Sequence, residues 1–199
     1  MSPGNDAGPD PAAKKKAWRL AIGGLFKLIP PETRAGLDAA LAARLGEWLA
    51  GRRLKSVLAF APLPDEPDLF PFFRSWLAEG GILGLPVWLR GGPMFFRRVR
   101  DLDHDLAAGR GGVREPIPGL PEMPPEAAEA ALAPGRAFAA GTLARLGRGA
   151  GCYDALFRRC GLMKAGVAYD FQIFPHIPAG EGDVPMDLIL TPSRIVRMD

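Results

Sequence analysis

Hydrophobic and polar positions divide the chain into short alternating segments. From Pro31 to Leu49, the apolar residues Leu37, Leu41, Leu45, Trp48 and Leu49 recur at steps of three and four, the spacing of an amphipathic helix face. Proline opens that helix where its missing N–H costs nothing, and Gly51 stops it. Lys14 to Ile29 is a basic helix candidate weakened by Gly23-Gly24, and Leu69, Phe73, Trp76 and Leu77 mark a further helix face closed by Gly80-Gly81. Between these, Ser56–Phe60 reads as a buried strand, Ile82–Trp88 as a strand interrupted at Pro86, and Met94–Val99 is another strand candidate. Residues 101–128 are dense in loop signals. Further on, Asp154–Cys160 is expected to be helical, Val167–Phe171 strand-like, and Leu188–Thr191 a short strand. Glu126–Ala133 is rich in Ala and Glu and locally favours helix. Strands alternating with helices predict an α/β fold with a mostly parallel sheet: a three-layer, Rossmann-like domain with helices on both faces.

Composition narrows the class without naming a function. The 199 residues are 48% hydrophobic and 24% charged, ordinary for a globular chain and incompatible with global disorder. Gly 25 and Pro 21 are far above ordinary usage, which calls for many turns around short elements. Residues 1–12 are expected to form a disordered tail and residues 13–199 a single domain. A net charge of +3 suits small anions as well as nucleic acid and selects neither. Cys152 and Cys160 form no CxxC pattern; on one helix they would lie about 12 Å apart along the axis, too far for a disulfide. No apolar run reaches the ~18 residues of a membrane span. The expectation is a cytoplasmic chain with no membrane or nucleic-acid partner, a monomer or weak homodimer.

The densest chemical signal is Arg145-Leu146-Gly147-Arg148-Gly149-Ala150-Gly151-Cys152-Tyr153-Asp154, just before a helix. Alternating glycines let backbone N–H groups approach a ligand, and the arginines supply positive charge. It is not a Walker A loop, since no Gly-Lys-Ser/Thr follows. On residue types alone, phosphate cradle and plain glycine-rich turn are equally open. His104 and His176 are isolated and form no zinc pattern.

Neighbouring segments separate those alternatives. Leu146-Gly147-Arg148-Gly149-x-Gly151-x-Tyr153-Asp154 resembles the signature of the 5-formyltetrahydrofolate cyclo-ligase, or methenyltetrahydrofolate synthetase, family. Lys15-x-x-x-Arg19, Leu63-Pro64-x-Glu66, Val113-Arg114-Glu115-Pro116 with Met94-x-Phe96 upstream, and Phe171-Gln172-Ile173 through Asp183 and Asp187 agree in order. The resemblance spans about residues 15–195 and implies a strand near Ala130–Pro134, against the local helical preference there. It implies magnesium- and ATP-dependent conversion of 5-formyltetrahydrofolate to 5,10-methenyltetrahydrofolate through a phosphorylated formyl group, with release of ADP and phosphate. It assigns ATP contacts to Lys15, Arg19 and Arg145 to Tyr153, including Leu146, Gly147, Arg148, Gly149, Ala150, Gly151 and Cys152. Folate contacts fall on Ala61, Glu66 and the Arg148–Cys152 segment, magnesium on Asp154 and Asp183, and catalysis on Arg148 and Tyr153. Three positions depart from the family pattern: Ala139, where the family has Asp; Ala150, where it has Gly or Lys; and Cys152, where it has Tyr. They leave open an alternative, a diverged nucleotide- or folate-binding relative without efficient turnover or with another substrate.

Overall fold

The computed structural model describes residues 10–88, 94–109 and 112–198. Helix α1 runs Pro11–Phe26, capped by Asp10, whose carboxylate accepts the Ala12 N–H at 3.0 Å. The tail expected over residues 1–12 lies outside the described residues through residue 9, and residues 11 and 12 already belong to α1. Helix α2 spans Pro31–Gly51 and buries Leu41, Leu45, Trp48 and Leu49, the face its periodicity predicts. Strand β1 (Ser56–Leu58), helix α3 (Phe70–Ala78), strand β2 (Ile82–Val87) and strand β3 (Phe95–Val99) follow.

Within the loop-rich 101–128 region, β4 (Leu106–Ala108) and β5 (Arg114–Pro116) pair as a small antiparallel hairpin. Beyond a 3₁₀ turn at Pro125–Ala127 come β6 (Ala130–Pro134), β7 (Ala137–Ala139) and β8 (Arg145–Leu146). The chain ends with α4 (Cys152–Phe157), β9 (Met163–Val167), β10 (Ile173–Phe174), β11 (Leu188–Leu190) and β12 (Ile195–Val196).

Seven strands form the central sheet in the order β12-β11-β9-β6-β1-β2-β3. The inner pairings, from β11 across to β2, are all parallel, and only the edge strands β12 and β3 run antiparallel. Every residue of β1 and β11, and Ala130–Ala133 of β6, is buried. Successive strand residues point to opposite faces, so both faces of the sheet are covered, as a parallel α/β sheet requires. A second small sheet, β10-β7-β8, packs with α1 through Ile22, Phe26, Ala137, Leu146 and Tyr169.

Two expectations from local sequence change, the first in favour of the strand that the resemblance implies. Glu126–Ala133 does not continue as helix, because β6 sits between β1 and β9 in the middle of the sheet, where burial overrides alanine's helical preference. The strand expected at Val167–Phe171 ends at Val167; the Gln172 side chain accepts the Tyr169 N–H at 2.8 Å and donates to the Gly135 carbonyl at 2.7 Å, folding Asp170–Gln172 into a 3₁₀ turn.

Candidate active site

The strand order fixes where a ligand can enter. From β1 the chain moves outward to β2, then later returns to place β6 on the other side of β1. Connections leaving β1 and β6 therefore diverge and open a crevice at their carboxyl ends, the usual ligand position in such sheets. A cavity of about 760 Å³ lies there, lined by Phe60 and Ala61 after β1, Pro86 and Trp88 at the end of β2, and Pro134 and Gly135 at the end of β6. Its size is that of a small-molecule site.

The same cavity collects every residue that the sequence marks for ATP, folate, magnesium or catalysis: Lys15 and Arg19 from α1, Ala61, Glu66, the run Arg145–Asp154, and Asp183. Trp88, Val113 and Glu115 line it as well, while Phe95 and Phe96 face an adjacent cavity of about 490 Å³. Asp187 is elsewhere, accepting the Lys164 N–H at 2.7 Å and pairing with its ammonium at 2.9 Å. His104 is exposed and bonds Asp101, and His176 is exposed too. The sequence carries no signal for Pro134 and Gly135. Their place follows from the sheet order alone.

A short hairpin delivers the glycine loop. β7 and β8 pair antiparallel, and β8 runs directly into Gly147. A Cβ at Gly147 would lie 2.6 Å from Arg145 Nη1, so any side chain there would push that guanidinium aside. Gly149 and Gly151 have φ of +110° and +68°, a backbone region that side chains disfavour. Ala150 between them is not among the residues with positive φ, so its methyl group is compatible with the loop. Arg19 braces this turn from α1, its Nε–H donating to the Gly147 carbonyl at 2.8 Å. Cys152 lines both cavities.

Arg145 is the buried anchor. Its Nη2 pairs with Asp154 Oδ2 at 3.0 Å, and its guanidinium lies 5.3 Å from the Tyr153 ring centre. Asp154 Oδ1 also accepts the Val184 N–H at 3.1 Å, tying the glycine loop to the segment that carries Asp183. Asp183 Oδ2 in turn pairs with Lys15 at 2.6 Å and accepts the Gly180 N–H at 2.8 Å. Across the cavity the Glu66 carboxylate is buried, takes the Leu63 N–H at 3.1 Å and meets Arg148 Nε at 2.9 Å. Burial works against the Arg148 charge, but Glu66 and Asp65 outweigh it and hold the guanidinium protonated.

The Tyr153 hydroxyl is buried without a partner among the described residues. Desolvation, reinforced by the negative charge of Glu66, pushes its pKa up, so it stays a protonated O–H donor. An unpaired buried donor on a cavity wall is costly unless a ligand uses it. The site thus brings cations and a glycine loop together with a carboxylate and a hydroxyl around one cavity. That combination suits a polyphosphate beside a ligand carrying N–H donors and an acceptor oxygen.

Comparison with known proteins places the fold and the chain. A protein of Mycolicibacterium smegmatis named 5-formyltetrahydrofolate cyclo-ligase is 32% identical over 190 residues, covering 90% of this chain and 94% of that one. The structure of Aquifex aeolicus 5,10-methenyltetrahydrofolate synthetase superposes with a TM-score of 0.81 at 30% identity, covering 92% of each chain. A Mycoplasma pneumoniae 5,10-methenyltetrahydrofolate synthetase shares the fold, with a TM-score of 0.73 at 21% identity over 89% of this chain and 98% of that one. The 5-formyltetrahydrofolate cyclo-ligase family matches residues 12–192, from α1 to just past β11, and the chain belongs to that family.

Proposed function

We propose that this protein uses ATP to convert 5-formyltetrahydrofolate to 5,10-methenyltetrahydrofolate. The observation that carries this reading is the gathering of Lys15, Arg19, Arg145, Arg148, Glu66 and Tyr153 around one cavity in a chain of this family. The formyl oxygen attacks the γ-phosphorus and ADP leaves. N10 then attacks the activated carbon and loses its proton, the C–O bond breaks, and phosphate departs. Such chemistry asks a protein mainly for alignment and charge stabilisation.

Each side chain has a task in that scheme. Lys15 and Arg19, one helical turn apart on α1, meet the phosphates together with the N–H groups of the 147–152 loop. Arg148 sits between the two ligands and neutralises charge that builds on the transferred phosphoryl group. Tyr153 donates a hydrogen bond to the reacting oxygen. Glu66 accepts hydrogen bonds from the folate ring, with Ala61 beside it and the Arg148–Cys152 segment opposite.

Asp154 and Asp183, both on the cavity wall, are the carboxylates that would meet a magnesium ion arriving on the triphosphate. Each is already engaged by a cation, Arg145 or Lys15, and among the described residues no three His, Cys, Asp or Glu side chains cluster as a metal cage. Phosphate oxygens and water would complete the shell, for which one or two carboxylates suffice. The ion would supply screening of the triphosphate charge. We expect a soluble cytoplasmic monomer or weak homodimer; no described helix is long and apolar enough to cross a membrane.

Mixing purified protein with 5-formyltetrahydrofolate and magnesium–ATP should produce the methenyl chromophore. Folded protein that binds ATP but forms no product would instead support the diverged binding relative that Ala139, Ala150 and Cys152 suggest.

Cys152 also makes a graded prediction. It lines the cavity where the family has a ring, and Cys152→Tyr should lower KM for the folate by about three- to tenfold, the effect of one added aromatic contact. An unchanged KM would remove this position from the folate site.

A further inference from the structure

Arg148 is gripped at two points. Its Nε–H meets Glu66, and its Nη2 pairs with Asp65 Oδ1. The other Asp65 oxygen pairs with Arg136 Nη2 at 2.5 Å, so Arg136, Asp65, Arg148 and Glu66 form a row of alternating charge. Asp65 and Arg136 do not line the cavity, whereas Glu66 and Arg148 do.

Local structure explains how adjacent carboxylates reach one guanidinium. The Glu66 N–H donates to the Leu63 carbonyl at 3.0 Å, closing a turn that brings Asp65 and Glu66 around to the same arginine. Arg34 of α2 holds the outer side of this turn through the carbonyls of Pro64 and Glu66. Asp38, also on α2, accepts the Asp68 N–H at 2.9 Å. The turn is therefore a fixed platform.

We propose that Asp65, backed by Arg136, is a positioning residue that sets the orientation of Arg148. The Asp65 side chain is 33% exposed and that of Arg148 38%, and ion pairs so open to water add little to stability. Their consequence is geometric. With Nε and Nη2 committed to two different carboxylates, the guanidinium cannot turn, and Nη1 has no partner among the described residues and is available to a phosphoryl oxygen. Without Asp65, the Nε/Nη2 edge can close on both oxygens of Glu66, which withdraws Arg148 from the phosphate and Glu66 from the folate together. Burial raises the Asp65 pKa, but its bonds to Arg148 and Arg136 outweigh this and leave it lowered, so the link is intact at neutral pH.

The kinetic consequence rests on the proposed reaction, while the orientation of Arg148 does not, and two measurements keep them apart. In ligand-free protein, ¹⁵N relaxation of the Arg148 Nε–H should report a rigid vector in the wild type and a flexible one in Asp65→Asn. In turnover, Asp65→Asn should lose about 10- to 100-fold in kcat with the nucleotide KM nearly unchanged. Asp65→Glu should recover most of that loss, and in an Arg148→Ala background Asp65→Asn should change the rate less than about twofold, because the residue it acts through is gone. Should Asp65→Asn fail to fold, Asp65→Ser removes the same carboxylate and takes its place in the relaxation experiment. An equally rigid Arg148 in the variant, or an undiminished loss in the Arg148→Ala background, overturns the proposal. A wild type that orders Arg148 through Asp65 yet forms no methenyl product overturns only the proposed reaction.

Discussion

Replacing Arg148 with alanine is expected to lower kcat for methenyl formation by about 100- to 1,000-fold, the cost of removing one preorganised donor from a developing charge. The fold should survive. Arg148 is more than a third exposed, Asp65 keeps its pairing with Arg136, and the buried Glu66 keeps the Leu63 N–H and lines an open cavity from which water can reach its freed oxygen. The KM for ATP should rise far less than kcat falls, because Lys15, Arg19 and the loop N–H groups remain to bind the ground-state triphosphate. Arg148→Lys should recover only part of the rate, since an ammonium group supplies the charge without the planar fork that bridges Glu66, Asp65 and a phosphoryl oxygen. Steady-state kinetics with circular dichroism as a folding check decides the matter. A loss of less than about fivefold in folded Arg148→Ala would transfer the charge-neutralising role to Lys15 or Arg19.

What the sequence discloses and what it hides follow from the range of the forces involved. Helix α2 is legible because Leu41, Leu45, Trp48 and Leu49 face the core at helical spacing, a signal contained in its own residues. Strand β6 is hidden from local propensity and shows only through the family resemblance. Ala130, Ala131 and Ala133 carry a helical preference, and only the flanking strands β1 and β9 make them extended. The turn at Asp170–Gln172 is hidden for the same reason, since Gln172 is held by carbonyls of Gly135 and Arg136, more than thirty positions away.

The site divides likewise. The glycine loop shows itself through consecutive residues, and family motifs bring in Lys15, Glu66 and Asp183. Nothing in the chain's order says that Lys15 pairs with Asp183, that Arg145 pairs with Asp154, or that Asp65 joins Arg148 to Arg136. Those contacts join segments as much as 168 positions apart and exist only once the sheet has formed.

The pairing of Arg145 with Asp154 makes the largest stability prediction. Their side chains are 4% and 15% exposed, so truncating one leaves the other charge with little water to replace its partner. Arg145→Ala also removes the cation beside the Tyr153 ring and the bond to the Pro134 carbonyl. The expected loss is about 3 kcal/mol, within the range for breaking a buried pair from one side. For a domain of this size that lowers Tm by roughly 6–12 °C. Asp154→Ala in the same chain should return part of the loss, because the orphaned carboxylate disappears with it, and the double variant should therefore melt above Arg145→Ala. Lost packing alone would make the two truncations add, placing the double variant below either single one. Thermal melts of the four proteins, checked for reversibility, distinguish these outcomes. Additive losses would mean that the Arg145–Asp154 contact contributes shape rather than charge compensation, with Asp154 stabilising the loop through its other bond, to the Val184 N–H.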